Sequence, residues 1–250
     1  MSGVSGMSGV SGMSGMKGVR GGTVLHLTDP GEAADLAAFL GRLIHYDRAA
    51  AVRIQASGTA LAVFGRPPSF EVLAIRTARL AKPYENGLDV SLDVTVSAGD
   101  LLEAVDEQAA TVGVPDAITG PPWAGMLPPR GGWQPEPGLP APDAVRATVT
   151  TAVREFRSRT EELAPERRVR SELDRIGREI WSRPVGDTEL PVRVAHAAQS
   201  LGFLRPARED APDEPDLGLF SSGAWLRLRT PYGSIALRKA GLGALDVSVR

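Results

Sequence analysis

The sequence predicts an α+β protein, with an N-terminal, mostly antiparallel sheet carrying two helices and a C-terminal three-helix domain that ends in a β-hairpin. Three observations carry that expectation. Residues 23–96 hold short runs of alternating apolar and polar side chains separated by turn residues, the pattern of half-buried strands. Residues 142–201 instead space their apolar side chains three and four apart, the pattern of helices with one buried face. Between them lies Thr119–Trp133, TGPPWAGMLPPRGGW, with two of the chain's four tryptophans. It can be neither helix interior nor central strand, because proline removes backbone donors and glycine costs backbone entropy.

Composition sets the outer limits. At 250 residues the chain can bury one large core or two modest ones, and 42% hydrophobic with 23% charged residues is ordinary for a globular protein. No apolar run approaches the roughly 18–20 residues of a membrane span, so no membrane partner is expected. The absence of cysteine excludes disulfides, thiol nucleophiles and thiolate metal sites. Only Lys17, Lys82 and Lys239 of the 28 basic residues are lysine, which with abundant Ala, Gly and Pro points to GC-rich coding and a bacterial, cytoplasmic protein. Residues 1–141 hold 10 basic and 14 acidic side chains, and residues 142–250 hold 18 and 16. Neither balance makes nucleic acid the default partner, so binding to a polyanion would need a local patch.

In chain order, residues 1–20 form a Ser/Gly-rich tail whose first sixteen residues repeat with a period of three, too poor in side chains to offset backbone entropy. It has no basic or apolar region of a signal peptide, and Met16 is an alternative start to Met1. An α+β domain follows over 21–112. Thr23–Leu27 reads as a strand, and Asp29, Pro30 and Glu32 as a helix start with a capping box, ahead of Leu36, Phe39, Leu40, Leu43 and Ile44 on one face. Two strands flank Ser57-Gly58 with Val52, Ile54, Leu61 and Val63 inward. Phe70–Leu80 is apolar enough on both faces to be central, and Leu88–Val96 alternates strictly. Ser97 and Asp100 then open a helix expected to reach about Thr111.

Residues 113–141 form a connection far longer than the usual 4–6 residues, either a linker or a functional loop. The domain expected over 142–250 begins with three helices, marked by Val145, Val149, Val153 and Phe156, by Val169, Leu173, Ile176 and Ile180, and by Leu190, Val194, Ala197 and Leu201, with Gly202 as the last stop. Glu209–Asp216 is an acidic loop, Ala224–Lys239 a hairpin across Thr230–Gly233, and Ala244–Val249 a final strand.

Catalytic signals are thin. His26, His45 and His196 lie in separate elements without metal-ligand spacing, no Gly-rich loop stands between a strand and a helix, and no P-loop occurs, so no cofactor is implied. The C-terminal hairpin is more informative. With Leu226, Leu228, Ile235 and Leu237 facing the core, Trp225, Arg227, Arg229 and Arg238 share the outer face, where neighbouring like charges call for an anion. Either the acidic loop Glu209–Asp216 or a nucleic-acid backbone would supply one. The order of three helices and a hairpin resembles a winged helix-turn-helix domain, which would make Leu190–Leu201 a recognition helix bearing Arg193, His196, Gln199 and Ser200. In the central loop, Trp123, Met126, Leu127 and Trp133 would anchor the two halves to one another or hold a partner.

The leading expectation is a non-enzymatic binding protein, an interaction adaptor or chaperone-like module with a protein partner or a second copy of itself. DNA binding through residues 142–250 is the second reading. An enzyme whose site is assembled only by folding is the third, and a cleft lined by His45, Tyr46 or the central loop would favour it.

Overall fold

The computed structural model describes residues 22–82, 91–206 and 217–239. The tail over 1–20, the acidic loop Glu209–Asp216, the start of the strand expected from Leu88 and the strand expected at Ala244–Val249 lie wholly or largely outside those residues. The α+β class is as the sequence predicts. Strand β1 (Val24–His26) leads to helix α1 (Pro30–Tyr46), which starts where the Asp29 side chain accepts from the Glu32 backbone N–H at 3.0 Å. Pro30 sits in the first turn, where no donor is needed. The Glu32 carboxylate, expected to close the cap, bonds Arg76 instead, at 2.6 Å.

Strands β2 (Ala51–Ser57) and β3 (Ala60–Gly65) form the expected hairpin, with Gly58 at φ +55 in its turn. Strand β4 (Leu73–Arg79) is central and β5 (Leu92–Ser97) lies at an edge. Helix α2 stops at Glu103 (Ala98–Glu103), well before Thr111. There the Asp106 side chain accepts from the Ala109 N–H at 2.9 Å and turns the chain, so that β6 (Val105–Asp106) and β7 (Thr111–Gly113) pair with each other and β7 with β1 in a small second sheet. A short strand β8 (Gln134–Glu136) precedes α3 (Pro142–Glu161), α4 (Arg170–Trp181) and α5 (Val192–Ser200). Strand β9 (Gly218–Ser222), unexpected from the sequence, joins the hairpin of β10 (Trp225–Thr230) and β11 (Gly233–Arg238).

Both halves of the chain share one antiparallel sheet, in the order β5-β2-β3-β4-β11-β10-β9-β8. The join is the pairing of β4 with β11, Ile75 opposite Ser234 and Leu73 opposite Ala236. The hairpin is therefore interior to the sheet and does not project as a wing. Helices α1 and α3–α5 lie on one face, where Leu36, Phe39 and Leu40 of α1, Ile176 and Ile180 of α4 and Val194 and Ala197 of α5 meet Ile54, Val63, Leu228 and Ile235 in one core. No helix among the described residues is long and apolar enough to cross a membrane.

One charged network lies inside that core. Arg76, 5% exposed, points from β4 toward α1, reaching Glu32 at 2.6 Å, Asp35 at 3.6 Å and the Tyr232 carbonyl at 2.9 Å. Arg205, beyond α5, pairs with Asp35 and stacks 3.6 Å over the Tyr232 ring. Burial raises the Glu32 carboxyl above its ordinary range, with Arg76 opposing the shift.

Candidate interaction face

The face of the sheet opposite the helices is where the expected residues of the hairpin and of the central loop meet. Pairing along β10 and β11 sets Trp225 opposite Arg238, Arg227 opposite Ala236 and Arg229 opposite Ser234, so these side chains share one face while Leu226, Leu228, Ile235 and Leu237 turn to the core. The connection from Val114 to Trp133 crosses that same face as a strap. It begins at the β5 edge, where the Ile118 N–H donates to the Thr95 carbonyl at 2.9 Å. Over β2, the Arg53 guanidinium donates to the Ala124 carbonyl while its other nitrogens hold Asp93 at 2.6 and 2.7 Å. Hydrogen bonding to Arg53 lowers the Asp93 carboxyl below its ordinary range. Trp123 and Leu127 then pack on Phe64, Leu73, Ile75 and Ala236, with Trp225 beside them. At the far end the Ser222 hydroxyl donates to the Gly131 carbonyl at 3.4 Å, and the chain enters β8.

The two features singled out in the sequence thus touch. The Arg227 guanidinium lies 5.6 Å from the Trp133 ring centre and donates to Ser234 at 2.9 Å. Arg229 lies 4.4 Å over Phe220 of β9, and Arg238 reaches the Met126 sulfur at 4.0 Å. Among the described residues no carboxylate pairs with any of the three. Desolvation, and behind it the charge of Arg229, lowers the Arg227 guanidinium from its ordinary value. Trp123 and Leu127 are half-buried between strands of both halves, Trp133 is half-buried, and Met126 is 54% exposed.

The expected recognition helix is differently placed. Val192, Val194, Ala195, Ala197 and Ala198 of α5 are buried against α3, α4 and β11, because its apolar residues cover too wide an arc for one free face. His196 is stacked on Trp181 at 4.7 Å and set edge-on to Phe70 at 5.2 Å, and desolvation lowers its imidazole. The Arg193 Nε is buried without a hydrogen-bond partner. Gln199 is exposed and Ser200 half-buried, so the four residues form no open reading surface. Sequence reasoning missed the Arg76 network, although a lone arginine on the inward face of an otherwise apolar strand was its signal.

Two family models meet on this face. Residues 21–125 match a domain of unknown function (DUF8010) and residues 128–242 match another (DUF8185), so the matches abut inside the strap. No curated protein sequence matches the chain. A DNA polymerase sliding clamp from Pseudomonas aeruginosa is similar at 11% identity with a TM-score of 0.40, over 90% of this chain and 66% of the clamp's length.

Proposed function

We propose that the protein is a non-enzymatic, cytoplasmic binding module that docks an acidic protein partner on the open face of its sheet, although a cleft lined by His45 and Tyr46, the feature that would favour an enzyme, lies between α1 and α5. The observation that supports this reading is the group of Arg227, Arg229 and Arg238 without a carboxylate partner among the described residues, set among Trp225, Trp133, Phe220 and the exposed Met126. Arginine and large rings are the side chains that concentrate binding energy at interfaces, and a charge already half-desolvated loses less on being covered. Three arginines on a chain of net charge −2 offer few phosphate contacts, which favours an acidic protein over duplex DNA.

A photo-crosslinking residue at position 229, compared with one at 154 on the helical side, tests the reading in intact cells. A specific adduct from 229 that disappears in the Arg238→Glu background supports it, and equal labelling from both positions refutes it. DNA binding is the second reading, favoured by the same arginines beside Trp225. Duplex affinity that falls steeply with salt and is lost on Arg227→Ala plus Arg229→Ala would put it first.

A further inference from the structure

We propose that a second site, the cleft between α1 and the C-terminal end of α5, binds a small molecule bearing a carboxylate or phosphate group through Arg42. The cleft measures about 370 Å³ and is lined by Ala38, Gly41, Arg42, His45 and Tyr46 of α1 and by Ser200 of α5. Those α1 positions recur at three- and four-residue spacing, so they form one stripe along the helix. Its small members make the floor, and a Cβ built on Gly41 would meet nothing within 4 Å. Its large members bring a guanidinium, an imidazole and a phenol to one opening, with the Ser200 hydroxyl across from them.

Arg42 is the group that calls for a ligand. Among the described residues it makes no ion pair and no side-chain hydrogen bond. It lies against Gly202, where an added Cβ would stand 2.8 Å from the Arg42 Cζ. Gly202 has φ +77 and ends α5, with the Phe203 N–H donating to the Ala198 carbonyl at 2.7 Å. The same turn that stops the helix therefore leaves room for the guanidinium. The C-terminal ends of α1 and α5 bring partial negative charge to this region, which draws Arg42 to them but leaves its planar fork of donors unbonded, so a bound anion must gain more from that fork than it loses to the helix ends. A carboxylate or a phosphate oxygen pair fits that fork in bidentate fashion, with Ser200 as a further donor. The lining comes from both halves of the chain, so an occupant would also stabilise the folded state by mass action.

The test is a titration of the full chain, separately with inorganic phosphate and with citrate, followed by amide NMR shifts and by the melting temperature. Saturable shifts at Gly41, Ser200 and Gly202, a rise in melting temperature, and an affinity reduced about tenfold or more by Arg42→Gln are the expected results. The anion that saturates identifies which chemistry the site prefers. Gly41→Leu serves as a second variant, since it fills the floor while leaving Arg42 in place, and it should abolish the shifts. The absence of saturable shifts with either anion, or shifts that persist unchanged in both variants, would overturn the proposal.

Discussion

His196 and Arg76 show how single polar side chains set the terms of stability in this core. Burial between Phe70 and Trp181 lowers the His196 imidazole, so the folded protein holds it neutral to a lower pH than the unfolded chain, which protonates it below a pH of about 6.5. Its contribution is present above that pH and is lost as pH falls. Glu32 acts oppositely: its raised carboxyl favours the folded state at acid pH, and that contribution is lost as pH rises through the raised value. His196→Phe keeps a ring in the stack and removes the titration, so denaturant melts at pH 7 and 5.5 should show a smaller acid loss than in the parent chain. Arg76→Met removes the nearest cation from the largely buried Glu32 carboxylate, while Asp35 keeps Arg205, and is expected to cost roughly 3 kcal/mol. That loss should be greater at pH 8 than at pH 5, where Glu32 can take up a proton, as measured by the same melts.

Among the elements, the strap separates anchoring from display. Trp123 packs on strands from both halves, whereas Trp133 lies over Arg227 at the open end. Trp123→Ala should therefore lower stability by about 2 kcal/mol, less than for a fully buried tryptophan, and Trp133→Ala should change stability little while weakening partner capture. Chemical denaturation of the two variants distinguishes these outcomes. Elements with strong local patterns were legible in the sequence: the Asp29 cap, the β2–β3 and β10–β11 hairpins and the three C-terminal helices all depend on near neighbours. Strand β9 was hidden because Gly218, Ser221 and Ser222 dilute its alternation, and β8 because it contains Pro135. The early end of α2 turns on an Asp106 side-chain bond that helical periodicity does not encode. Of the interaction face, the composition of the arginine hairpin could be read directly, but its contact with the strap depends on the β4–β11 pairing, which no local pattern specifies.

Across the whole molecule, the shared sheet and the Arg76–Asp35–Arg205 network bind the two matched segments into one core. Unfolding followed by tryptophan fluorescence and by far-ultraviolet circular dichroism should accordingly give coincident transitions. Segments 22–125 and 128–239 expressed separately would each expose a long central-strand edge, β4 in one and β11 in the other. Each alone is expected to aggregate or remain unfolded by circular dichroism, and co-expression should restore the folded signal. The strap adds a consequence of its own. It crosses the sheet through side chains and a few backbone bonds, whereas the seam between β4 and β11 is a ladder with its own partners. Cleavage after the exposed Arg130 would thus remove the covalent tie and leave the ladder intact. The nicked protein should elute as a single species, two peptides acting as complementary fragments of one fold.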